Sequence, residues 1–199
     1  MNCREDSIAV AILAGGEGVR IGGSKPLRLL GDSSLIERAL ALSNLWSKDV
    51  IVVGRTQAQV GSANSPFLRD APGLEGPIAG LAAGLRYAKD RRHGALLAIP
   101  CDSPFLPTDL FERLFSALAP EVGAALATSG GVLHPTCALW RVRCFSSLGP
   151  YLVTGRRSLR GFAEYVKFAT ANWPLQPADP FFNINSNDDL AEAEALIAD

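Results

Sequence analysis

The segment Ala14-Gly15-Gly16-Glu17-Gly18-Val19-Arg20-Ile21-Gly22-Gly23-Ser24-Lys25 follows an apolar run and carries five glycines and two cations. Small residues let the backbone approach a phosphate closely and turn several N–H groups toward it. Arg20 offers a planar fork that grips phosphate through two parallel bonds, and Lys25 adds a movable point charge. Hydrogen bonds to such charged groups contribute roughly 1.5–3 kcal/mol each, so three or four support micromolar binding. Two better-known glycine motifs are excluded. A P-loop ends in Gly-Lys-Ser/Thr, whereas Lys25 stands between Ser24 and Pro26, and the third glycine of a dinucleotide fingerprint is replaced by Ile21.

A second chemical signal is Pro100-Cys101-Asp102-Ser103-Pro104-Phe105-Leu106-Pro107. A carboxylate just past a buried strand and held among prolines belongs in a cleft. Magnesium takes oxygen ligands, typically one or two carboxylates with substrate phosphates and water, so Asp102 is the expected metal ligand. The irregular stretch from Asp70 through Gly76 to Gly80 leads into a helix, where exposed N–H groups meet anions or polar rings. There the Asp70 carboxylate can accept hydrogen bonds from a base or a ribose. In Phe182-Asn183-Ile184-Asn185 the two amides share a face and can read a flat heterocycle such as a pterin, or serve only as turn formers. His134-Pro135 opens an apolar run and can face the cleft or be structural. Arg156 and Arg157 can meet an acceptor phosphate or lie solvated.

The elements that must position these residues follow from hydrophobic patterning. Continuous apolar runs predict buried strands at 8–13, 50–53 and 95–99, with a short strand at 67–68. Amphipathic periodicity predicts helices at 35–46, capped by Ser33 or Ser34, and at 77–89, opened by Pro77. Further helices are expected at 106–118, 158–165 and, capped by Asn187, 188–198, with strands at 124–128, 136–140 and 167–171. Alternating strands and helices predict an α/β protein: a three-layer α/β/α Rossmann-like fold with a mostly parallel central sheet, in one domain spanning 1–199. In such sheets chemistry lies beyond the carboxyl ends of the strands.

Composition narrows the partners. A formal net charge of -1 gives no electrostatic reason to expect nucleic acid or an anionic membrane. The four cysteines lack metal-ligand spacing and there are only two histidines, so reduced, buried thiols are expected and a structural zinc site is not. The polar start of the chain and the short apolar run 8–14 resemble neither a signal peptide nor a membrane span, giving a cytoplasmic expectation.

Together these segments resemble the molybdenum cofactor guanylyltransferases. The matching pieces are Leu13 to Lys25, Gly76-Pro77-Ile78-Ala79-Gly80, Pro100 to Pro107, His134-Pro135 with Ala138-Leu139, Arg157-Ser158-Leu159, and Phe182 to Ser186 with Asp189-Leu190. They stand in the family's order from one end of the chain to the other. The resemblance implies a nucleotidyltransferase fold, GTP and magnesium as requirements, and Mo-molybdopterin as acceptor. It assigns the nucleotide loop to Leu13, Ala14, Gly15, Gly16 and Lys25, a second nucleotide contact to Asp70, and the metal to Asp102. This chain departs from many members in having Ser24 where an acidic residue precedes the lysine. It also has Val53-Gly54-Arg55 where an asparagine follows the second strand.

The expected reaction joins the acceptor's terminal phosphate to the α-phosphorus of GTP and expels pyrophosphate, with Lys25 and Arg20 stabilising the departing charge and Asp102 holding the metal. The residues leave open a cytidylyltransferase of the same cofactor, a sugar-phosphate nucleotidyltransferase, or an inactive nucleotide-binding adaptor. Molybdoenzyme insertion factors are candidate partners, and a monomer or weak oligomer is expected.

Overall fold

The structure is a computed structural model that describes residues 4–16, 23–61, 65–175 and 178–198. In chain order its elements are β1 (Arg4–Leu13), β2 (Leu29–Leu30), β3 (Ser33–Ser34), α1 (Leu35–Trp46), β4 (Val50–Gly54), β5 (Phe67–Arg69) and α2 (Pro77–Asp90). There follow β6 (His93–Pro100), α3 (Leu110–Ala117), β7 (Ala124–Ser129), β8 (Val132–Arg141), α4 (Phe145–Val153), α5 (Leu159–Val166), β9 (Phe168–Trp173) and α6 (Asn187–Ala198).

Seven strands form one sheet in the order β5-β4-β1-β6-β8-β7-β9, and β2 with β3 makes a small hairpin. Every pairing in the large sheet is parallel except those of β8, which runs against both β6 and β7. The expected mostly parallel α/β sheet is therefore present. Its central strands are apolar on both faces because helices cover both. Val10, Ile12, Val52, Leu97 and Ile99 point to the layer holding α1 and α3, while Ala9, Ala11, Ile51, Val53 and Leu96 meet α2, α4 and α5. The last helix, α6, packs Ala193 with Leu30, Leu35 and Ile184 beside the hairpin.

Local chemistry explains several boundaries. Ser34 caps α1 through a reciprocal pair with Glu37, whose carboxylate accepts from the Ser34 backbone N–H at 2.8 Å. The helix expected at 106–118 starts only at Leu110, because Pro107 to Asp109 form a turn closed by Leu110 N–H on the Pro107 carbonyl. Ser186, not Asn187, caps α6: its Oγ accepts from Asp189 N–H, and the Asp189 carboxylate accepts from Ser186 N–H at 2.8 Å. The helix α4 is not among the expected elements, and Pro150 lies inside it.

The strand expected at 136–140 is longer, beginning at Val132 straight after the Gly130-Gly131 turn. Its register against β7 jumps from Ala138 opposite Leu126 to His134 opposite Ala127. Pro135 falls in that bulge, where a missing N–H leaves no gap in the ladder. His134 therefore lies within a strand and not at its start.

Candidate active site

β1, β4, β5 and β6 all end on one side of the sheet, above a cavity of about 530 Å³. Its wall includes Leu13, Ala14, Gly15 and Gly16 from the end of β1, Asp70 from beyond β5, and Gly76 from the entry to α2. Lys25, Asp102, Asn183 and Asn185 complete the polar part of that wall. Ten sequence-expected residues thus surround one space. Arg20 lies outside the described residues.

The glycine loop is close-packed for a stated reason. A Cβ on Gly15 would lie 2.7 Å from Asp70 Oδ2, so glycine lets β1 run out past that carboxylate without displacing it. Asp70 is itself fixed by its backbone N–H, which donates to the Gly54 carbonyl at 2.9 Å. Burial pushes the Asp70 carboxyl up from its ordinary range, and the charge of Arg55 opposes that rise.

At the other end of the cavity, Lys25 opens a short 3-10 turn after Ser24, which adopts a left-handed conformation (φ 44°). The Lys25 ammonium forms an ion pair with Asp102 Oδ2 and donates to Asn185 Oδ1 at 2.8 Å. Lys25 is 8% exposed, so its charge is largely removed from water and needs both partners. The segment carrying the asparagines is laced to the strand-end motif. Ile184 N–H donates to the Asp102 carbonyl at 2.9 Å, and Ser103 Oγ donates to Asn183 Oδ1. The Asp189 carboxylate accepts from the N–H groups of Asn185 and Ser186, which fixes Asn185 against the start of α6.

Residues 10–169 match the model of the MobA-like NTP transferase domain. The chain belongs to this family. Among relatives, the molybdenum cofactor guanylyltransferase of Bradyrhizobium sp. (strain ORS 278) is 38% identical, covering 94% of this chain and 92% of its own. The protein of the same name from Rhodopseudomonas palustris (strain HaA2) is 40% identical, covering 93% and 90%. A solved structure of molybdopterin-guanine dinucleotide biosynthesis protein A from Archaeoglobus fulgidus superposes with a TM-score of 0.76 at 26% identity, over 96% of this chain and 98% of that one. The 4-diphosphocytidyl-2C-methyl-D-erythritol synthase of Anaerococcus prevotii gives a TM-score of 0.76 at 15% identity, over 98% and 97%, which shows a shared fold.

As a MobA-like NTP transferase the chain is a nucleotidyltransferase. Among the described residues no cluster of three His, Cys, Asp or Glu side chains could hold a metal ion. A divalent ion here would depend on Asp102, substrate phosphates and water. That donor set suits magnesium, which keeps water and phosphate oxygens among its ligands, and suits zinc poorly.

Three residues singled out from the sequence lie elsewhere. His134 sits outside the cavity wall, stacked on Phe181 at 4.5 Å between centroids and hydrogen-bonded to Ser129 Oγ at 2.8 Å. Burial holds its imidazole below the ordinary range. Arg156 pairs with Glu164 at 2.6 Å, and Arg157 donates to the carbonyls of Leu152 and Arg156. Conversely, Arg55 and Thr136 line the cavity without having been singled out as site residues. Arg55 had a readable signal, since it directly follows a strand that ends beside β1. Thr136 had none, because its place in the wall depends on the β8 bulge. Among the described residues no helix is long and apolar enough to cross a membrane.

Proposed function

We propose that the chain transfers GMP from GTP to the terminal phosphate of Mo-molybdopterin, giving molybdopterin guanine dinucleotide and pyrophosphate. The observation that carries this reading is the union of Lys25, Asp102 and Asn185 in one crevice with the glycine loop and Asp70. The names of the relatives agree with it.

The acceptor phosphate is already ionised near neutral pH, so no covalent enzyme intermediate is needed and the task is alignment and charge compensation. The loop from Leu13 to Gly16 holds the triphosphate through the part beyond Ala14, whose own N–H already donates to the Val53 carbonyl at 2.7 Å, and Asp70 accepts from the nucleoside. Magnesium, held by Asp102, would offset the repulsion between the two anionic phosphates as they meet. Lys25, turning from Asp102 toward the phosphates, stabilises negative charge that grows on the bridging oxygen as the α–β bond breaks. Arg20 is assigned the same role from the sequence. Asn183 and Asn185 present amide groups to the pterin of the acceptor. The reading includes a cytoplasmic reaction, with small molecules as partners and insertion factors for molybdoenzymes downstream.

Replacing Asp102 by Ala tests this reading. Pyrophosphate release with GTP and Mo-molybdopterin should fall by at least about a thousandfold, as for loss of a principal charge-stabilising group. Circular dichroism should stay unchanged. A variant retaining full turnover removes the metal assignment, and a wild-type protein that turns over with CTP in place of GTP supports the cytidylyltransferase reading.

A further inference from the structure

Ser129, His134 and Asp179 meet outside the cavity wall. Ser129 ends β7 and is 1% exposed, His134 lies in β8 just before its bulge, and Asp179 stands between β9 and α6. Ser129 Oγ donates to Asp179 Oδ1 at 2.8 Å and lies 2.8 Å from His134 Nε2. A hydroxyl has a single hydrogen, and here the carboxylate takes it. His134 Nε2 must therefore carry its own hydrogen and donate to the same hydroxyl oxygen. Burial holds the imidazole below its ordinary range against the opposing Asp179 charge, which suits a neutral donor.

This relay ends on the segment that reaches the cavity. Asp179 Oδ1 also accepts from Phe181 N–H at 3.0 Å, and the Asp179 carbonyl accepts from Phe182 N–H at 3.1 Å. The Phe181 ring is buried, stacked on His134 and set edge-on to Trp173 at 5.3 Å. Asn183 follows Phe181 by two residues and Asn185 by four; both line the cavity, and Asn185 accepts from Lys25. Downstream, Ile184 N–H on the Asp102 carbonyl and the Asp189 carboxylate on Asn185 N–H hold the segment. Upstream, the junction of Ser129, His134 and Asp179 fixes its entry. His134 also begins the β8 bulge that brings Thr136 into the cavity wall.

In the sheet order β5-β4-β1-β6-β8, the wall set by this junction stands beyond Asp102, away from Asp70. With the nucleoside at Asp70 and the phosphates at Lys25, that end is left to the acceptor.

We infer that His134 is a positioning residue for the acceptor: through Ser129 and Asp179 it sets the Phe181–Asn185 segment without itself touching substrate. The inference rests on the guanylyltransferase reading and adds to it how the two asparagines are held in place.

The experiment compares the wild type with His134→Phe, Ser129→Ala and the double variant. Phenylalanine keeps a flat ring against Phe181 and removes the N–H donor, while alanine removes only the bridging hydroxyl. Pyrophosphate release gives KM for Mo-molybdopterin at saturating GTP and magnesium. Calorimetry gives Kd for GTP with magnesium, and hydrogen exchange reads the backbone amides. Each single variant should raise the acceptor KM about tenfold, the factor that goes with one hydrogen bond, and change the GTP Kd by less than about twofold. The double variant should be no worse than either single one, because the three groups act as a unit. The amides of Phe181, Phe182 and Ile184 should exchange about tenfold faster, while those of β1 and β6 keep their protection. An unchanged acceptor KM overturns the inference, as do equal losses for GTP and acceptor or losses that multiply in the double variant. Exchange that quickens throughout the sheet overturns it too, since a merely structural His134 would give that result. Should His134→Phe fail to fold, Ser129→Ala reads the same outcomes. A wild type that releases no pyrophosphate with GTP and Mo-molybdopterin overturns the guanylyltransferase reading and the acceptor role with it; the exchange measurement then decides whether His134 holds the segment.

Discussion

The contact between Gly15 and Asp70 ties the shape of the phosphate loop to the placement of a carboxylate. A methyl group on Gly15 would meet Asp70 Oδ2 at 2.7 Å, the free end of a side chain that can rotate away. Gly15→Ala should therefore cost little stability, less than about 1 kcal/mol, because the core beneath is unchanged. GTP affinity should nonetheless fall about tenfold, since the rotated carboxylate loses a charge-assisted contact. Urea denaturation and calorimetry on the same sample separate the two effects; equal losses in both would mean that the loop itself had collapsed. At this scale the sequence was highly informative, because glycines, a lysine and an aspartate at strand ends announce their chemistry by type and spacing. Arg55 was less legible, since a single arginine after a strand reads as well as a solvated surface group.

Elements are held in register at the end of the sheet opposite the cavity by a cluster around Asp49. Tyr87 of α2 donates to Asp49 Oδ1 at 2.6 Å, His93 at the start of β6 meets Oδ2 at 2.8 Å, and Arg91 approaches to 3.8 Å. The second His93 nitrogen reaches Ser7 Oγ of β1 at 3.1 Å, so β1, β4, β6 and α2 converge on one carboxylate. Burial works to raise the Asp49 carboxyl, but the bonds from Tyr87 and His93 and the Arg91 charge outweigh it and hold the group below its usual range. The same surroundings push the Tyr87 phenol up to about 12, burial first and the Asp49 bond next. A depressed carboxyl lends stability above its unfolded value, near 4, and loses it as pH falls through the lower folded value. Asp49→Asn should cost about 1–3 kcal/mol at pH 7, and the gap to the wild type should close below about pH 4. Urea midpoints across that window check it; a gap constant with pH would mean that charge has no part in the clamp.

Element existence was legible wherever period and length agreed, as for β1, α1 and α2. Pro135 marks a strand start by sequence, but in the structure it sits in a bulge that needs no donor and β8 runs on through it. His134 looked chemical beside Pro135, but stacking on Phe181 takes it into the packing below β8.

For the whole molecule, the parallel strands and their covering helices form a platform whose carboxyl edge spreads single residues from distant parts of the chain along one crevice. Ligand occupancy should therefore be felt globally. At GTP about 100 times its dissociation constant, with magnesium, the fold gains about 2.7 kcal/mol, or about 5–10 °C in Tm for a chain of this length. Differential scanning fluorimetry reads this directly, and no shift with GTP at such concentrations would count against the nucleotide cavity. The buried thiols of Cys101, Cys137 and Cys144 contribute to the same body. Burial raises all three, Cys144 to about 11, so they take part as packing and not as nucleophiles.

The contact of Lys25 with Asp102 has a consequence for how an empty protein behaves. A tethered ammonium keeps the acidic anchor neutralised until cargo arrives, so the resting molecule has no need of dissolved cations to stay intact. Chelation with EDTA should leave the melting curve of the nucleotide-free protein unmoved, yet erase most of the gain conferred by GTP. On the proposed function, arriving phosphates would draw the lysine off, and the carboxylate it leaves would be the group to hold the ion.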